Sequence, residues 1–309
     1  MTAFGIARQA GTVRGRLLAS HRLGREEARG LACEPSLDAA LERLRATPYG
    51  HDVDPQMTLA EAQRAVAATA LWQVRVLAGW LPPSGGETMR VLAGWWEILA
   101  IEDHVAGLSG APVGPPFELG ALATAWPRIA EAATPAQVRA VLAASPWGAP
   151  YGDGLAELGV ALRLAWARRV AARLPAATPW AAAWAALVVA RDLFAGARVL
   201  PAAGVTRSAD LGLAWAGATT VTALAEGLPR EVRWVLDDVT APEELWRGEA
   251  RWWARLDAAA SERLRRTAPT ADHAAAVVAA LGVDAWRVQA ALEIAARGGR
   301  EVEALDVVA

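Results

Sequence analysis

Alanine-rich stretches, broken at intervals by helix caps, prolines and glycines, leave this chain one fold class. Hydrophobic residues make up 54% of its 309 residues, and alanine, which favours helix above every other residue, supplies much of that share. Runs rich in Val, Ile, Thr and Tyr, the mark of strands, are missing. The expectation is an all-helical protein. With 15 Trp against 3 Phe and 2 Tyr, indole rings must do most of the aromatic packing. Length alone suggests roughly two domains.

The boundaries of the helices are written in caps. Thr58 with Glu61, Thr134 with Gln137 and Thr240 with Glu243 each match the capping box, in which two side chains satisfy free amides of the first turn. Thr134-Pro135 and Thr178-Pro179 add proline at the first helical position. Stops are expected at Pro82-Pro83 with Gly85-Gly86, then at Gly107, Gly148, Gly196 and Gly298.

Charge and cysteine narrow the function. Net charge is −2, all the arginine-or-lysine positions are arginine, and no basic run stands out, which gives a DNA or RNA role little support. The single Cys33 can form no internal disulfide and no two-cysteine metal motif. The first twenty residues scatter arginines through any apolar core, unlike a secretory signal. "LPAATPWAAAWAALVVA" (174–190) contains two prolines and falls short of the ~20 apolar residues of a membrane span. These features point to a soluble, intracellular chain.

Two internal echoes suggest a repeat. "LRATPYG" (44–50) returns as "LAASPWG" (142–148), with "LRRTAP" (264–269) as a decayed third copy. A tryptophan also stands twelve residues before a glycine three times, at Trp95 and Gly107, Trp184 and Gly196, Trp286 and Gly298. Twelve residues of helix rise about 18 Å. An acid precedes each glycine: Asp103, Asp192 and Glu293. Acids in a last turn oppose the helix dipole, at about 0.3–1 kcal/mol each when exposed. Core packing for the tryptophans and internal ion pairs for the acids are the simpler explanations. The alternative is three helix ends that present acids to a basic partner.

Signals for catalysis are thin. "YGDGLAELG" (151–159) has a Gly-x-Gly without strand or spacing, and "PPSGGET" (82–88) lacks the Lys-Ser/Thr of a phosphate loop. Asp237-Asp238 is similar to the Mg²⁺-binding pair of all-helical isoprenoid enzymes, but lacks further acids three or four residues away. Four histidines show no ligand spacing, and Glu102-Asp103-His104 fans around a helix rather than converging. No cofactor or metal is expected.

Four stretches resemble the C subunit of V/A-type rotary ATPases, the family of eukaryotic V-ATPase subunit d. They are "ARQAGTVRGRLLAS" near the N-terminus, "LDAALERLRATPYG", "WWEILAIEDHVAGLSGAP", and "DAWRVQAALEIAARGG" followed by "EVEALDVVA". At Ala100, and at Ala290 or Ala291, the chain departs from the asparagines often found in those helices. The resemblance implies three similar helical bundles in pseudo-threefold array around a funnel-shaped cavity. They would form one domain over 1–309, with sub-bundles of about 35–133, 134–239 and 240–309, the last completed by the helix 1–34. It implies a non-catalytic rotor adaptor, cytoplasmic and peripheral to the membrane, a monomer within a complex. Its partners would be the central stalk subunits and the proteolipid ring. The expected contact residues are Glu97, Glu102, Asp103, Asp192, Glu293 and Arg297. Charge swaps at Asp103 and Asp192 are expected to weaken stalk binding and spare the fold. The alternatives are an Mg²⁺-dependent isoprenoid-type enzyme and a free-standing helical scaffold.

Overall fold

The computed structural model describes residues 3–196, 209–213, 217–266 and 271–299, and every regular element among them is helical. In chain order the helices are α1 (Ala3–Ser20), α2 (Gly24–Ala32), α3 (Leu37–Leu44), α4 (Leu59–Gly79), α5 (Pro83–Leu92), α6 (Gly94–Leu108), α7 (Trp126–Ile129), α8 (Pro135–Ala143), α9 (Leu155–Arg173), α10 (Thr178–Ala190), α11 (Val221–Gly227), α12 (Arg230–Arg233), α13 (Leu245–Arg265) and α14 (Ala271–Ala296). The chain divides into two compact units. The first holds Met1–Met89, Glu118–Gly120 and Trp253–Ala309, and the second holds Arg90–Phe117 and Ala121–Trp252. The boundaries expected near 133 and 239 both fall within the second unit. The expected terminal segment 301–309 lies outside the described residues.

In the first unit α14 packs along α2, α3 and α4, and α1 lies on α14 and α4. Small residues permit the approach: a Cβ at Gly15 of α1 would stand 3.0 Å from Val277 Cγ2 and 3.9 Å from His273 Nε2 of α14. By length and composition α14 is apolar enough to cross a membrane, and 67% of its apolar stretch is buried inside the protein. In the second unit α6 packs on α7, α8 and α9, and α10 on α9 and α12. Ile98, Ile101, Val105, Ile129, Val138, Leu142, Trp147, Leu158 and Leu162 form one core there.

The heptapeptide echo is a repeated structure. In "LRATPYG" the Thr47 hydroxyl donates to the Leu44 carbonyl at 2.6 Å and its oxygen accepts from Tyr49 N at 3.3 Å, while Gly50 N donates to Thr47 O at 3.0 Å. In "LAASPWG" Ser145 binds Leu142 O at 2.8 Å and Trp147 N at 3.2 Å, and Gly148 N donates to Ser145 O at 3.1 Å. In both copies the hydroxyl closes the helix end and drives the next aromatic ring, Tyr49 or Trp147, wholly inside. Each copy ends a short helix whose N-cap oxygen accepts an amide proton, Ser36 from Ala39 and Thr134 from Gln137. A third short helix capped in this way is α11, where Thr220 accepts from Ala223 N. The third copy suggested at 264–269 is not of this kind where it is described, because Leu264 and Arg265 end the long helix α13.

A common order therefore recurs along the chain: short capped helix, long helix, closing helix. It runs α3, α4, α6 with α5 interposed, then α8, α9, α10, then α11, α13, α14 with α12 interposed. The long helix begins at Leu59 with the expected capping box, Thr58 with Glu61. At Thr240 the carboxylate is that of Glu244, which accepts from Thr240 N and Ala241 N. The tighter 3₁₀ turn Pro242–Glu244 moves the partner one residue beyond Glu243.

The expected stops are of several kinds. Gly85 and Gly86 lie in α5, because Pro83 starts that helix rather than ending α4. Gly107 lies within α6. The left-handed residue is Gly110 (φ 86), with Ala111 N bonded to Ala106 O and Gly110 N to Gly107 O, a Schellman closure. Gly298 (φ 85) closes α14 in the same way, through Gly299 N to Ile294 O. Gly196 instead ends a π-helical turn, Arg191–Ala195. Three glycines twelve residues after a tryptophan thus have three different backbone roles.

His273 is 4% exposed, and burial first, then the charge of Arg16, holds its imidazole below the ordinary value. The unfolded chain takes up that proton first, so stability falls as pH drops below about 6.5. Urea unfolding from pH 7.5 to 5 should show this loss, and His273→Gln should flatten it.

Candidate partner-binding site

Among the described residues the buried carboxylates are Glu97, Asp192 and Asp284, at 0%, 5% and 1% exposure. They stand 95 and 92 residues apart, and each belongs to a closing helix or the turn that continues it. Glu97, in the first turn of α6, accepts from Thr124 N at 2.9 Å, Ala125 N at 2.6 Å and Trp126 N at 2.7 Å. These amides begin α7 and have no intrahelical partner of their own. A carboxylate there satisfies three donors and lies at the positive end of their dipoles. Arg169 adds a positive charge nearby: it donates to Thr124 Oγ1 at 3.0 Å and lies 4.5 Å over the Trp147 ring. Burial lowers its pKa and the charge of Glu97 works against that fall.

Asp284 on α14 repeats the device in the first unit. It accepts from Leu23 N at 2.9 Å and Gly24 N at 2.8 Å, the start of α2, and from the Tyr49 hydroxyl at 2.8 Å. Burial, and then the charge of Asp284, raises the Tyr49 phenol well above its ordinary range. Asp192 lies in the π-helical turn and is engaged within the chain.

The expected contact residues therefore divide. Glu97 is an interior group whose carboxylate is used by backbone amides, so its expected place on a partner surface is corrected. Asp192 is buried too, and a swapped charge there strikes the fold. Glu102 reaches across to α9 and binds Arg163 through both oxygens, the longer contact being 3.0 Å. Gly159 makes room for this pair, since a Cβ there would meet Glu102 Oε1. Arg163 also lies 5.6 Å over Trp95. Asp103 is half-buried and engaged within the chain. Glu293 pairs with Arg297 one turn on at 2.5 Å, with side chains 44% and 61% exposed, and meets Gln63 Nε2 at 3.5 Å. Of the six, Glu293 and Arg297 are brought together as an ion pair.

The tryptophans do not mark equivalent places. Trp95 and Trp184 touch each other edge-to-face at 5.4 Å within a row that continues to Trp166 at 5.7 Å and Trp252 at 5.1 Å. Trp286 stacks on Trp253 at 5.1 Å. Asp284 is the residue the sequence reading missed. Its signal was there, in acids spaced like Glu97 and Asp192, but the tryptophan register hid it. Asp237 and Asp238 sit exposed in a turn where Asp238 has φ 57, and no cluster of three His, Cys, Asp or Glu fit to hold a metal occurs among the described residues.

No protein-family model matches the chain, and no curated protein matches it significantly.

Fully buried and partly exposed acids should separate in mutation. Glu97→Gln is expected to cost about 2–4 kcal/mol, because a neutral amide leaves buried donors poorly paired. Gly159→Ala breaks the Glu102–Arg163 pair, worth about 0–1 kcal/mol when partly exposed, and gains about 1 kcal/mol of helix propensity. Its unfolding midpoint should stay close to wild type in the same urea titration.

Proposed function

We propose that this protein is the rotor adaptor of a V/A-type rotary ATPase, seating the central stalk on the membrane proteolipid ring and carrying no catalytic site of its own. One observation carries the proposal: the chain repeats short helix, long helix and closing helix three times, with a buried acid at each closing helix. This supports three like bundles, as the resembling family has them, arranged with pseudo-threefold symmetry into a funnel around a cavity. In that arrangement the closing helix of one segment serves the next bundle. The packing of α6 on α7, α8 and α9, and of α14 on α2, α3 and α4, supports that hand-over within each unit.

An adaptor must pass torque through a body that does not yield. Close-packed interiors have low compressibility and transmit strain. Alanine-lined helices joined by indole pairs, each worth about 0.5–1.5 kcal/mol beyond its buried area, suit that demand. In this reading the chain is cytoplasmic and peripheral to the membrane, and its partner-facing charges are Asp103, Glu293 and Arg297.

Co-expression with the stalk and ring subunits of a rotary ATPase from the same organism tests the proposal. The tagged chain should retain both through purification, and the paired reversal Glu293→Arg with Arg297→Glu should weaken stalk retention while the circular dichroism stays unchanged. Retention of neither partner would contradict the adaptor role, as would turnover of a prenyl diphosphate with Mg²⁺.

A further inference from the structure

The ends of α1 and α13 border a cleft of about 340 Å³ within the first unit, lined by Arg16, Arg22 and Arg265 with Ser20, Ser261 and Leu264. Three guanidinium groups face one small space, and the described residues around it neutralise them only in part. Arg22 is anchored: its Nε donates to Ala19 O at 2.8 Å, and it lies 3.6 Å from the Asp257 carboxylate. That carboxylate is shared, because the buried Arg287 binds it at 2.9 Å. Among the described residues Arg16 reaches only the Arg266 carbonyl, at a long 3.5 Å. Neither Arg16 nor Arg265 forms an ion pair among the described residues, and both are exposed.

The charge balance decides what fits. The two helix C-termini each contribute about half a negative charge, which offsets roughly one guanidinium. Asp257 is divided between Arg22 and Arg287. Among the described residues more than one positive charge stays uncompensated on walls that belong to two different helices. A dianion bridging the walls would relieve that excess. Guanidinium groups present paired donors that match phosphate oxygens, and the volume exceeds a phosphate group alone, so an attached organic group has room.

We propose that this cleft is a binding site for a phosphate ester, held between Arg16 and Arg265 with Arg22 at its base. The proposal stands independently of the adaptor role. Such an ester occurs free in solution and in phospholipid headgroups, and the test separates the two sources.

The full chain is titrated calorimetrically at low ionic strength with inorganic phosphate and with glycerol 3-phosphate. Separately, it is sedimented with phosphatidylcholine vesicles prepared with and without phosphatidic acid. Saturable binding of either soluble phosphate assigns a free ligand. Sedimentation only with phosphatidic acid assigns a headgroup. In either case Arg16→Ala with Arg265→Ala should weaken binding about tenfold or more, while Arg25→Ala, an exposed arginine elsewhere on the same unit, should leave it unchanged. Should the double variant misfold, Arg265→Ala alone serves, with a smaller loss expected in the same direction. Binding to neither probe overturns the proposal, and so does an equal loss in Arg25→Ala, which would reveal general charge attraction.

Discussion

A carboxylate buried away from water is costly unless its charge is met by donors, and the first amides of a helix are donors with no partner. In this protein the two needs answer each other. Glu97 takes the opening amides of α7, and Asp284 those of α2. The acid sits on one helix and the amides on another, far away in sequence. Each contact thus fixes the rotation and height of a closing helix against the bundle it completes. Apolar packing alone would leave both loosely specified, because alanine-rich faces differ little from one turn to the next.

The rest of the packing follows from that fixed register. Small residues let the backbones approach, as Gly15 does where α1 meets α14. Indoles then span the wider gaps, with Trp166, Trp95, Trp184 and Trp252 in one row and Trp253 on Trp286 in another pair. Where indole N–H groups find carbonyls, as Trp166 does at Val91 and Trp252 at Trp180, the rings also bind the backbone of the next element. A body of this kind is suited to carry force, which is the demand that the proposed adaptor role would make of it.

Local chemistry was the part of the fold legible in the sequence. Thr58 with Glu61 and Thr134 before Pro135 cap helices because short-range side-chain geometry decides those ends. The Leu-x-x-Ser/Thr-Pro-aromatic-Gly echo held its structure because all its hydrogen bonds lie within seven residues. Gly107 was misplaced because a Schellman closure depends on which residue adopts positive φ, and Gly110, three residues on, does so. Acids near helix ends were harder still. Glu97 is among the contact residues expected from the resemblance, but whether a carboxylate faces water or a distant helix start is a tertiary fact. Asp284 went unseen because it precedes its tryptophan by two residues, whereas Glu97 follows its own by two and Asp192 by eight.

Amide hydrogen exchange addresses the carboxylate caps most directly. The opening amides of a helix ordinarily exchange quickly, since nothing in the helix binds them. Here the amides of Thr124, Ala125 and Trp126, and those of Leu23 and Gly24, should exchange only through cooperative unfolding of their own units, as slowly as core amides of α9 and α4. Exchange of these five at the rate of the exposed Val113 and Gly114 amides would contradict the account.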